Sequence, residues 1–162
     1  MTRGIVRAGL LAGLALPTLA SAQRRESAAG PRGEVRLDAI AARRSTVQLG
    51  GGFNVASGPY IRWGATAGVG ATEHAGRTVA TWRTDGVVRF VLDPFREGRR
   101  GLYGLAGLSV MDDGTRDVEP RLLLGLGVEG RAHGRAIPAV ELALGGGVRL
   151  SGVVRRARTG RR

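Results

Sequence analysis

Cysteine is absent from this 162-residue chain. That excludes disulfide bonds, a thiolate metal site and a lipid-bearing cysteine. Lysine is absent as well, so the basic residues, 25 against 13 acidic ones, are all arginine. The resulting net charge of +12 invites a nucleic-acid reading. Two features turn it away. The arginines are scattered until the C-terminal run, as a compositional bias would leave them, and aromatics are only 4 % of the chain, with none after Tyr103. Bases would find no stacking platform, so no nucleic-acid partner is expected. Long apolar runs are missing too. The longest, near the N-terminus, is too short to cross ~30 Å of hydrocarbon as a helix, and Pro17 interrupts it.

Glycine, by contrast, is abundant, with 28 residues and no three-residue repeat of the collagen kind. In helices each would cost about 1 kcal/mol relative to alanine. Within strands, glycine fits a crowded barrel interior or a sharp bend. The rest of the pattern is strand-like. From Val118 to Val154 two arms flank an Ala132-His133-Gly134-Arg135 turn. Leu122, Leu124, Leu126 and Val128 alternate with Arg121, Leu123, Gly125, Gly127 and Glu129 in the first arm. Val140, Leu142, Leu144, Val148 and Leu150 alternate with Glu141, Ala143, Gly145, Gly147 and Arg149 in the second. Successive strand side chains point to opposite faces, so each arm has one aliphatic face and one of glycine and charge.

The same period runs through Thr46 to Val55, where Val47, Leu49, Phe53 and Val55 oppose Gln48, Gly50, Gly52 and Asn54. After the Ser57-Gly58-Pro59 turn, Ile61, Trp63, Ala65, Ala67 and Val69 oppose Arg62, Gly64, Thr66, Gly68 and Gly70. Arg77 to Asp93 puts Trp82, Val88, Phe90 and Leu92 in one phase and Arg83, Asp85, Arg89 and Asp93 in the other. A turn at Thr84-Asp85-Gly86 would leave arms shorter than the ~9–11 residues of a membrane strand, so this segment is one strand. Leu102 to Met111 is another, and Glu34 to Ala41 is a short one. The count falls one short of the even number a single-chain membrane barrel requires, with eight the usual minimum. Either the N-terminal segment holds two short strands or one long segment folds as a hairpin.

Met1 to Ala22 reads as a secretory signal peptide. Arg3 and Arg7 precede an apolar middle, and Ala20-Ser21-Ala22 is a small-residue cleavage site. The exported protein is expected to begin at Gln23, and intact-mass measurement checks this. A retained Met1, or a start beyond about residue 33, would contradict the pattern. The organisation expected is a signal peptide at 1–22, a flexible segment at 23–33, a β-barrel domain at 34–156 and a basic tail at 157–162. The arginine run from Arg155 to Arg162 reads as a basic, disordered tail.

Chemistry-bearing motifs are weak. Gly125 to Gly130 matches G-x-G-x-x-G, but a dinucleotide site needs a helix opening inside the motif, and here it lies in an alternating strand. His74 and His133 fall in turns without a second ligand at helical spacing. Ser109 and Ser151 sit in strands without a nucleophile elbow. The Asp112, Asp113 and Asp117 turn lacks a spaced calcium loop. No catalytic residue, cofactor or metal is therefore assigned. The charges on the glycine face are Arg62, Arg89, Arg121, Glu129, Glu141 and Arg149. Inside a small barrel such charges must pair, and Glu141 is expected to take Arg121 or Arg149. The opposite face, with Ile61, Trp63, Leu122, Leu124, Leu126, Val140, Leu142 and Leu144, is the lipid-facing candidate.

The segments YIRWGATAGVGAT, RGLYGLAGLSVMDD, PRLLLGLGVEGR and AVELALGGGVRL, following an export signal, give the chain a resemblance to the small bacterial outer-membrane β-barrel proteins of the OmpA/OmpX-like superfamily. The resemblance covers about Thr46 to Val154. It departs from the family in its few aromatics and in the Thr159-Gly160-Arg161-Arg162 end, where such barrels carry a terminal aromatic residue. It implies an all-β, antiparallel up-and-down barrel of about eight strands in the cell outer membrane. Outer-membrane lipid and the barrel-assembly machinery would be its partners, and its role structural and non-enzymatic. The alternatives are a secreted or periplasmic soluble barrel with its aliphatic face turned inward around an apolar ligand, and a lipid-modifying barrel enzyme.

Overall fold

The computed structural model describes residues 30–42, 44–94, 100–112 and 118–157. The expected export signal with Ala20 and Ala22, most of the segment expected to be flexible, and the tail beyond 157 lie outside the described residues. Eight strands follow one another without a helix among the described residues. They are β1 (Arg32–Ala41), β2 (Ser45–Ser57), β3 (Ile61–His74), β4 (Arg77–Val91), β5 (Gly101–Asp112), β6 (Glu119–Glu129), β7 (Ala136–Leu144) and β8 (Val148–Arg156). Each pairs antiparallel with the next, and β8 returns to pair with β1, closing the barrel.

The alternation read from the sequence sets which side each strand presents. In β1 the inward positions are Glu34, Arg36, Asp38 and Ile40, and the outward ones Val35, Leu37, Ala39 and Ala41. Strand β4 runs unbroken through Thr84-Asp85-Gly86, with Asp85 buried inside. The eighth strand comes from the C-terminal arm. Gly145-Gly146-Gly147 turns the chain there, with Gly146 at φ 80°. Leu144 and Val148 both point outward on either side of that turn, so the alternation passes through it undisturbed.

Glycine is required at particular places. Ala75 and Gly76, at φ 49° and 73°, are the two residues that join β3 to β4. Positive φ at both central positions matches the right-handed twist of the flanking strands. Within the wall, a Cβ on Gly70 would run into the Val47 carbonyl oxygen of the neighbouring strand. Four connections lie at the end opposite the described chain ends, after β1, β3, β5 and β7. Three lie at the end where β1 begins and β8 finishes, called here the terminal end.

Candidate functional site: a charged lumen inside an apolar wall

An eight-stranded barrel is just wide enough for its interior to be filled by side chains. Here the filling is mostly ionic. Five arginines (Arg36, Arg83, Arg89, Arg149 and Arg155) and five carboxylates (Glu34, Asp38, Asp85, Glu129 and Glu141) are buried. Their formal charges cancel. At the terminal end Arg62, with a side chain 16 % exposed, joins them through Glu129, its Nη1 2.7 Å from Oε1.

The pairs form one continuous chain along the lumen. Arg155 reaches Glu129 through Nη1 at 2.7 Å and Glu34 through Nε at 3.1 Å, and its Nη2 pairs with Glu141. Arg89 joins Glu34 at 2.9 Å and Glu141 at 3.1 Å. Tyr103 donates its hydroxyl to Glu141 at 2.8 Å and accepts from Arg155 at 2.9 Å, and the Arg155 guanidinium stands 5.0 Å from the Tyr103 ring centroid. Arg36 links the two halves, donating to Glu141 and to the Ser151 hydroxyl at 3.1 and 3.0 Å and to Asp38 at 3.1 Å. Beyond it Arg83 pairs with Asp38. Arg149 and the Thr66 hydroxyl both donate to Asp85, at 2.8 and 3.0 Å. Arg83 Nε lies 3.0 Å from Asp85 Oδ2, near enough to attract, but out of line for a hydrogen bond. A buried charge is tolerable only when paired and hydrogen-bonded, and each of these ten is paired. An apolar cluster of Val87, Leu105, Leu123 and Ala143 packs with the Tyr103 ring and fills the β4–β7 side of the interior.

Outside, the pattern inverts. Leu122 is 64 % exposed and Val69 67 %, and large exposed apolar side chains occur on every strand, aliphatic on all but β4, where they are Trp82 and Phe90. Within the strands, the outward positions that carry charge are Glu73, Asp112 and Arg156, all at or next to a strand end. Between the ends the wall is uncharged. Phe53, Tyr60, Trp63 and Phe90 gather on the β2–β4 side toward the terminal end, where the Tyr60 and Phe90 rings stack with centroids 5.9 Å apart. Trp82 lies nearer the other end and donates to Asp112 at 3.2 Å.

This is the fold of designed transmembrane barrels. One structure, described as the de novo design of transmembrane β-barrels, is 16 % identical, with a TM-score of 0.54 over 78 % of this chain and 92 % of that one. The solution NMR structure of the de novo designed TMB2.3 is 19 % identical, with a TM-score of 0.50 over 78 % and 94 % of the two chains. At these identities the likeness is one of fold. No protein-family model matches the chain, and no curated protein does.

Of the charges singled out from the sequence, Arg62, Arg89, Glu129, Glu141 and Arg149 lie in the lumen chain. Arg121 does not. It sits half-exposed beside Gly146 of the β7–β8 turn and makes no ion pair with a described carboxylate. Glu141 pairs with Arg36, Arg89 and Arg155, in place of the Arg121 or Arg149 expected from the sequence. Glu34, Arg36, Asp38, Arg83, Asp85 and Arg155 complete the network and were not singled out, although the alternation assigns each of them to the inward face. Ile61, Trp63, Leu122, Leu124, Leu126, Val140, Leu142 and Leu144 are all on the outer wall. A soluble barrel with its aliphatic face inward does not fit this arrangement. Ser109 and Ser151 face the lumen, whereas His133 is exposed at the β6–β7 turn, so these groups do not meet as a catalytic set.

Proposed function

We propose that this chain is a structural, non-enzymatic outer-membrane β-barrel of the OmpA/OmpX-like kind, held in lipid by its outer wall and closed to solutes by its lumen. The observation that carries the reading is the inversion across the wall, with charges paired inside and an uncharged aliphatic surface outside. In water such a surface is a liability, since soluble monomers seldom expose contiguous apolar patches above a few hundred Å². In a bilayer it meets acyl chains, and the closed sheet leaves no strand edge unpaired in hydrocarbon. Strands of 9 to 15 residues are long enough to span when tilted. The outer membrane, its lipid and the assembly machinery as partners are part of the proposal, supported by the export signal and the resemblance.

Lipid contact is the test. The absence of native cysteine makes Leu124→Cys a unique labelling site. A fluorophore there should be quenched by lipids brominated in mid-chain, and one at Ala132→Cys, exposed in the β6–β7 turn, should not. Ser109→Cys, facing the lumen, should stay unreactive to maleimide until the barrel is unfolded. Equal quenching at Leu124 and Ala132, or none at Leu124, would remove the membrane reading.

A further inference from the structure

On the outer surface at the terminal end, a groove of about 370 Å³ lies across the seam where β8 meets β1. Gly33, Val35 and Val154 line it, and Arg135 and Arg156 stand at its rim, both exposed. These arginines are held side by side. Arg156 is the register partner of Ala136, the residue after Arg135, and the Ala157 amide donates to the Arg135 carbonyl at 2.8 Å. Glu34 also lines the groove, but its carboxylate is bound inside the barrel by Arg89 and Arg155 and is not available to repel an anion. Two residues from Val154 along β8 the wall has a gap. Gly152 points outward between its register partners Leu37 and Val140, and nothing stands within 4 Å of where its Cβ would be. Two cations thus sit at the terminal end of an apolar wall that has a gap at Gly152, nearer its middle.

We propose that this groove binds an anionic glycerophospholipid, with its phosphate on Arg135 and Arg156 and one acyl chain in the gap over Gly152. The proposal rests on the membrane reading above and adds a lipid class and a place to it. Arginine presents forked donors that match phosphate oxygens. Gly33 and Gly152 leave the width for a chain that larger outward residues would close.

The test uses the refolded chain in phosphatidylcholine vesicles with a minor share of brominated phosphatidylglycerol or, separately, brominated phosphatidylcholine. Leu150→Cys carries the reporter beside the gap, and Leu108→Cys carries it on the distant β5 wall. Each basic residue near the headgroups enriches an anionic lipid by about fivefold. At Leu150 the phosphatidylglycerol should therefore quench several-fold more than phosphatidylcholine at the same share, and at Leu108 the two should be nearly equal. The preference should vanish in Arg135→Gln/Arg156→Gln and persist in Arg135→Lys/Arg156→Lys. Equal quenching by both lipids at Leu150, the same preference at both sites, or a preference that survives the double Gln variant would overturn the site while leaving the membrane reading intact. No quenching by either lipid at either site overturns the membrane reading and the site with it.

Discussion

Glu141→Ala should be the most damaging lumen substitution, costing ~3–5 kcal/mol in unfolding of the lipid- or detergent-refolded protein. Glu141 is 2 % exposed and takes contacts from Arg36, Arg89, Arg155 and the Tyr103 hydroxyl. Truncation leaves those three guanidinium groups short of a partner in a closed interior and tips the balanced interior to a net positive charge. Glu73→Ala, on the exposed end of β3, should stay within about 0.5 kcal/mol of the parent. Denaturant titration of the two variants side by side decides the matter. Equal small losses would mean that water, and not protein, solvates Glu141.

The partners of Glu141 also show how far a sequence can be read. Parity alone puts Glu141 inside, because the strand period is two and its neighbours Val140 and Leu142 are aliphatic. Parity says nothing about which charges meet across the lumen. Arg36 and Glu141 are 105 residues apart, and Arg89 and Glu34 are 55 apart. Their meeting depends on the register of all eight strands and the stagger that closing the barrel imposes. A reading confined to one hairpin therefore looks to Arg121 and Arg149, which lie nearby in sequence.

Gly127→Ala should cost about 3 kcal/mol, a large loss for one methyl group, whereas Gly104→Ala should cost almost nothing. A Cβ on Gly127 would run into the Tyr103 ring, and one on Gly104 meets nothing within 4 Å. Overpacking alone costs about 1–3 kcal/mol. Moving Tyr103 also strains its hydrogen bonds to Glu141 and Arg155, each to a charged group, which puts the loss at the top of that range. Thermal or denaturant midpoints of the two variants check the contrast. Equal tolerance of alanine at both positions would show that the ring has room to move.

Other features were hidden for identifiable reasons. The break between β7 and β8 leaves no mark on the alternation, because the three-residue turn returns Val148 to the phase of Leu144. Only the run of glycines signals it, in a chain where glycine also fills the lumen. In β1, small Ala39 and Ala41 weaken the aliphatic stripe, so Glu34, Arg36 and Asp38 look like a solvated polar stretch until pairing with β8 encloses them. Arg155 is concealed by its company. Four more arginines follow it before the end of the chain, although it is itself an inward strand residue 2 % exposed.

The seam between β1 and β8 joins the first strand to the last. Until β8 is in place, β1 and β7 each present an open row of amide and carbonyl groups, and each unsatisfied group costs several kcal/mol in hydrocarbon. The same strand also brings Arg149 and Arg155. A seven-stranded intermediate would enclose five buried carboxylates against three buried arginines, Arg36, Arg83 and Arg89, with Arg62 left to meet Glu129 from the rim. Backbone closure and electroneutrality therefore arrive with the same nine residues. The half-made barrel is unsuited to lipid on both counts, so for the membrane barrel proposed above the final strand is the step that admits the chain to the bilayer.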